Sequence, residues 1–128
     1  MKFKIYYVVA FLIFSIILGN HSYAFNIVGK AVKCDASKFP TRGYPFFFYF
    51  EKENKYNSYY ILENEIKSHN FDYRQVNADI YDLSRIGFFN KNKLILTHSK
   101  YNTKCMCILL DTKNEIKIQL KSFIDNKN

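Results

Sequence analysis

Residues 46–50 read Phe-Phe-Phe-Tyr-Phe. Side chains on a strand alternate between its two faces, so five successive aromatics leave an extended segment with no polar side. Such a strand needs a core against one face and a second layer over the other. The charged stretch Glu51-Lys52-Glu53-Asn54-Lys55 then reads as a turn, and Tyr56 to Leu62 as the returning partner strand. The segment predicts a central hairpin whose aromatics pack a core rather than form a ligand platform.

The remaining pattern is mostly short β segments with polar punctuation. Phe25 to Cys34 alternates Val28, Lys30, Val32 and Cys34 on one face. Asp35 to Pro45 is a loop broken by Pro40, Gly43 and Pro45. Glu63 to Asn70 fits either a turn with a short strand or one helical turn. Phe71 to Val76 and Ala78 to Leu83 alternate around Asn77. Ile86 to Phe89 and Lys93 to Thr97 flank the turn-like Asn90-Lys91-Asn92, and Lys104 to Leu110 forms the last clear strand. Ile116, Leu120, Phe123 and Ile124 then recur at helical spacing, favouring a short helix entered near Asp111 or Thr112, with a strand as the alternative. The fold class expected is mainly β: seven or eight strands in an antiparallel curved sheet, small up-and-down barrel or sandwich, with a short C-terminal helix.

The chain opens with a segment of another kind. Lys2 and Lys4 precede an apolar run from Ile5 to Leu18, and Ser22-Tyr23-Ala24 follows the break at Gly19-Asn20. This layout predicts a cleavable export signal over residues 1–24, cut after Ala24, and a single β-rich domain over 25–128. The run is shorter than the roughly 20 residues of a membrane-spanning helix, and no second run matches it, so no stable membrane anchor is expected after cleavage. Cleavage removes Lys2, Lys4 and His21, which takes the formal charge from +8 to +6. The lysines are scattered and arginines are few, with no basic stripe, so nucleic acid is not expected as a partner.

Export gives the three cysteines a meaning, because disulfides persist in oxidising compartments. Cys34 lies late in the first strand, and Cys105 and Cys107 share a face of the last. A bridge from Cys34 to either closes a loop of about 70 residues, contributing roughly 4 kcal/mol by the chain-entropy relation. Parity does not choose between Cys105 and Cys107, and one thiol is left over. A soft-metal site built from Cys105, Cys107 and His98, with Cys34 or His69, is the competing reading. The C-x-C spacing suits zinc poorly, so neither metal nor cofactor is expected. No G-x-S-x-G elbow or glycine-rich phosphate loop occurs, and His69 and His98 sit in polar contexts expected to be exposed. No catalytic residues are assigned.

Val32-Lys33-Cys34, Gly43-Tyr44-Pro45-Phe46-Phe47-Phe48, Asn92-Lys93-Leu94-Ile95-Leu96 and the Cys105/Cys107 segment resemble the layout of a diffuse set of short exported proteins from AT-rich, often marine, bacteria. That layout has an early strand ending in Cys, an aromatic strand after a glycine-containing loop, and a second Cys on a final strand; it implies no activity. Lys33-Cys34-Asp35 is also similar to the first strand of periplasmic lysozyme inhibitors, small β-barrels with one disulfide. This chain lacks their Ser-Gly-x-x-Tyr loop, and a charge of +6 opposes a cationic lysozyme, so the likeness is one of architecture. The function expected is that of a periplasmic or secreted, noncatalytic binding or inhibitor-like module acting on an envelope or extracellular protein. The alternatives are a small secreted enzyme with a cryptic site, or a carrier holding a small apolar ligand inside the sheet.

Overall fold

The computed structural model describes residues 26–39 and 41–126. The expected leader with its cleavage point at Ala24, and the readings placed on Phe25 and Pro40, lie outside the described residues. Eight strands follow one another as β1 (Ala31–Cys34), β2 (Phe46–Lys52), β3 (Lys55–Leu62), β4 (Glu65–Gln75), β5 (Ile80–Leu83), β6 (Gly87–Asn90), β7 (Ile95–His98) and β8 (Lys104–Leu110). Helix α1 (Lys113–Asn126) follows β8. Each strand pairs antiparallel with the next, and β8 returns to pair with β1, closing a barrel. Of the architectures left open by the sequence, the closed up-and-down barrel is the one adopted.

The aromatic strand is covered on both faces. Phe46, Phe48 and Phe50 point into the barrel, where Val32, Cys34, Tyr56, Tyr73, Tyr81, Leu83, Phe89 and Leu96 complete a contiguous core. Their packing includes edge-to-face pairs, with Phe48 against Tyr56 at 5.9 Å and Phe50 against Tyr73 at 5.1 Å. Phe47 points outward and, with Ala31, Tyr59 and Leu110, receives Ile116 and Leu120 of α1. The helix is therefore the second layer that the aromatic run requires. Thr112 and Glu115 fix its start: the Glu115 amide donates to the Thr112 hydroxyl, and the Glu115 carboxylate accepts from the Asp111 amide. The strand alternative for the tail is thereby set aside.

Several boundaries differ from the sequence reading. β1 begins only at Ala31. Before it, Gly29 adopts φ +84°, a conformation open to glycine, and donates to the Phe50 carbonyl while Ile27 is driven into the core. Val28 and Lys30 thus fall in a turn, not on a strand face. Glu63 and Asn64 both take positive φ, the backbone of a tight hairpin turn, so the ambiguous Glu63–Asn70 region becomes the first half of the eleven-residue β4. Leu94 adopts φ +53°, which delays β7 to Ile95 and leaves Lys93 outside the strand. Ile86 closes a turn by donating to the Leu83 carbonyl, and β6 starts at Gly87, where a Cβ would lie 2.0 Å from the Thr97 carbonyl oxygen.

The register between β1 and β8 selects the cysteine pair. Cys34 stands directly opposite Cys107, and the two form a disulfide, leaving Cys105 as a buried thiol. The bridge spans 73 residues of sequence and lies on the seam that closes the barrel. Removing it through Cys34→Ala and Cys107→Ala is expected to lower unfolding free energy by about 4 kcal/mol in urea titrations. An unchanged midpoint with and without reductant would contradict that stabilisation.

Among the described residues, Tyr56 carries a buried polar atom left without a partner. The Tyr56 side chain is fully buried, and its hydroxyl has no hydrogen-bond partner, although the Arg85 amide lies nearby. Burial pushes its pKa from 10.0 up to about 12. The unfolded chain therefore releases this proton first as pH rises, and stability declines between pH 10 and 12. Tyr73 and Tyr81 are raised by burial in the same sense. Tyr56→Phe removes the orphan hydroxyl, so equal or greater stability at neutral pH and a shallower alkaline decline are expected in pH-dependent thermal melts.

Candidate functional site

The meander places the C-terminal ends of β1, β3, β5 and β7 and the N-terminal ends of β2, β4, β6 and β8 at one mouth of the barrel. Aromatic side chains from separate loops and strands converge there. Phe46, at the start of β2, meets Phe39 of the β1–β2 loop edge-on at 5.5 Å. His98, ending β7, lies 5.0 Å from Phe39, and stacks on Tyr101 of the following loop at 5.5 Å. Tyr60 falls one step beyond the Phe47–Tyr59 pair, on the inward-facing side of β3. Its ring stacks on His69 at 5.1 Å, its hydroxyl hydrogen-bonds His69 Nε2 at 2.8 Å, and Phe71 extends the row on β4. Phe46 is buried, Phe39, Tyr60, Phe71 and His98 are half-buried, and Tyr101 is exposed. The mouth is thus a floor of packed aromatics with an accessible rim.

Cations lie over these rings. The Arg42 guanidinium stands 4.1 Å above the Phe46 ring and 4.5 Å from that of Tyr44. It donates to the carbonyls of Tyr44 and Pro45, so rings and peptide oxygens hold it rather than a carboxylate. Burial lowers its pKa, yet a guanidinium stays charged at any physiological pH. Arg85 lies over Phe71 and Lys100 over Tyr101. Beside this cluster a groove of about 350 Å3 is lined by Phe39, Tyr44, Pro45, Asp35, Ser37 and, from the end of α1, Phe123. Phe39 forms a wall of both the groove and the aromatic cluster. Tyr44 is fixed in the groove because its hydroxyl accepts from the Ile61 amide.

The residues considered as soft-metal ligands have separate duties. Cys107 is consumed in the disulfide. Cys105 is buried, and burial raises its thiol pKa, which keeps it protonated and unreactive. His98 is engaged by aromatic rings, and its Nδ1 accepts from the Lys100 amide. Among the described residues no group of three or more His, Cys, Asp or Glu is arranged to hold a metal ion. The expectation of two exposed, turn-borne histidines is corrected in part: His69 is exposed but lies within β4, and His98 is half-buried at the end of β7. The cause is the barrel itself, which lets the loops at this mouth fold aromatics over the β7 terminus.

Phe39, Arg42 and Tyr101 were not singled out by the sequence reading. They are far apart in the chain and sit in irregular segments, so no periodicity marks them. The available signal was large aromatics in a loop otherwise rich in Pro, Gly and polar residues. No family model, curated protein or solved structure matches this chain. Among the described residues no helix is long and apolar enough to cross a membrane.

Burial, and then the charge of Lys100, lowers the His98 pKa from its ordinary 6.5. The imidazole is neutral at pH 7, and folding opposes its protonation, so its stabilising share is lost as pH falls through the lowered value. In a ring-proton titration His98 is expected to titrate below 6.5. Lys100→Gln is expected to shift it upward, and a titration unaffected by that change would remove Lys100 as a cause.

Proposed function

We propose that this chain is an exported, noncatalytic binding protein, inhibitor-like in build, that holds an extracytoplasmic partner protein at the aromatic mouth of its barrel. The observation that carries this reading is the convergence of Phe39, Phe46, His98, Tyr101, Tyr60 and His69 with Arg42 at one end of a rigid frame. Aromatic rings and arginine are the side chains that concentrate binding energy at protein interfaces, because they bury large areas at small entropic cost. The loops that present them are anchored by the core and by the seam disulfide, which limits the ordering cost of binding.

Export is supported by the basic-apolar-small order of residues 1–24 and by a disulfide suited to an oxidising compartment. The geometry favours binding over the alternatives. The His69 ring is paired with a tyrosine hydroxyl and that of His98 with a backbone amide, so neither is oriented by a carboxylate as a general base would be. Phe47, Phe48, Phe50, Tyr56 and Phe89 are fully buried, and all but Phe47 occupy the interior where an apolar ligand would otherwise lie.

The test is expression of the full chain with a C-terminal tag, intact-mass analysis of the product, and capture from the extracytoplasmic fraction. A mature species beginning at Phe25 is expected, and retention of Met1 would overturn export. Tyr101→Ala and Phe39→Ala are each expected to weaken the captured complex by about 2 kcal/mol, roughly 30-fold. Gln75→Ala, at the opposite end of the barrel, should leave it unchanged. Capture indifferent to both mouth substitutions would overturn the site.

A further inference from the structure

Helix α1 packs over β1 to β4 and over the end of β8 at Leu110, while the outward side chains of Met106 and Ile108, earlier on β8, and of Phe88 on β6 remain exposed. On the wall that carries them the outward positions are unexpectedly apolar. Met106 is 64 %, Ile108 54 % and Phe88 45 % exposed. The register joins them into one patch. Ile95 stands opposite Met106, Phe88 lies opposite Thr97 on β7, and Ile80 on the neighbouring strand β5 stands opposite Asn90, two residues on from Phe88. A shallow groove of about 170 Å3 runs among Ile80, Phe88, Ile95 and Thr97.

The rim of this patch is cationic. Lys33 is directly opposite Ile108, Lys104 is opposite Thr97, and Lys93 lines the groove beside Ile95. Of the carboxylates nearby, Asp82, opposite Phe88, pairs with Arg74 at 3.3 Å, and Asp35 accepts hydrogen bonds from the uncharged amide and hydroxyl of Ser37, so three lysines face one carboxylate held only by neutral donors. We propose that this wall, centred on Phe88, Ile95, Met106 and Ile108, is a docking surface for an anionic lipid bilayer.

Three arguments select the bilayer. Apolar side chains inside a ring of lysines match an interface whose headgroups are anionic and whose interior is hydrocarbon. Lysine stems can lie along the apolar wall while their ammonium groups reach the phosphates. The wall of a barrel is convex, and a fluid surface conforms to it, whereas a folded partner would need a matching hollow. A second copy packed face to face would set the same lysines against one another. This inference concerns a different surface from the mouth and stands whether or not the mouth binds a partner.

Vesicle sedimentation tests it, using the full chain and variants that share its N-terminus, so that any contribution of residues 1–25 cancels. Vesicles of phosphatidylcholine alone are compared with vesicles containing equal parts of phosphatidylglycerol. Stronger partitioning onto the phosphatidylglycerol vesicles is expected, falling as salt is raised. Met106→Asp with Phe88→Asp should weaken it at least about ten-fold with an unchanged melting temperature. Lys33→Gln, Lys93→Gln and Lys104→Gln should each weaken it about five-fold. Partitioning equal in both lipids, or unaltered by these substitutions, overturns the proposal. So does a dimer in sedimentation equilibrium that Met106→Asp dissolves while vesicle binding is absent, which would assign the patch to self-association.

Discussion

The structure depends on the pairing of β1 with β8. β1 is four residues long, yet it hydrogen-bonds β2 on one side and β8 on the other, so it is the stave that turns a meander into a cylinder. A non-local pairing this short is a weak closure by itself, because Cys34 and Cys107 within it are 73 residues apart in the chain. The Cys34–Cys107 bond lies within that pairing, opposite residue to opposite residue. The covalent link and the register therefore specify the same alignment. Both flanks of β1 reinforce it: Ile27 before it and Ala36 after it are buried in the same core cluster.

Closure then dictates where everything else goes. Inward positions of β2, β3, β4, β5 and β6 fill the cylinder with rings, and the outward Phe47 is left to α1. Because the interior is packed, recognition has to use the ends or the outside of the barrel. The two surfaces differ in physical character. The mouth is aromatic, built from strand ends and the loops between them, with a groove beside it, and is suited to a shaped partner. The uncovered wall is convex, apolar and lysine-rimmed, suited to a fluid one.

What could be read in advance divides along the same physical lines. The run Phe46–Phe50 and the alternation of Lys104–Leu110 are local patterns, and both became strands where expected. The helical spacing of Ile116 and Leu120 was equally legible, and those two side chains are the buried ones of α1. Positions governed by backbone conformation were not. Leu94 takes a left-handed conformation that its residue type disfavours, and Asn64 turns a hairpin jointly with a glutamate. The choice of Cys107 over Cys105 needed the β1–β8 register, which pairs the first strand with the last and has no local signature. The mouth was hidden for a related reason: Phe39, Arg42 and Tyr101 come together only after closure.

The strands of this barrel are unequal in length. β4 runs for eleven residues but pairs with β5 only through Tyr73, Arg74 and Gln75, so Glu65 to Asp72 outrun their neighbour on that side. A cylinder ordinarily consumes every strand edge; here a stretch of one survives beside the mouth. Such a ledge is where another chain's backbone could add a strand and where aggregation would begin. Its outline opposes that outcome. Glu65 and Lys67 form an exposed ion pair on it, and Lys55 pairs with Asp72 at its lower limit. Charge along an open edge discourages indiscriminate pairing, so the longest strand of the barrel carries its own protection against edge-to-edge association.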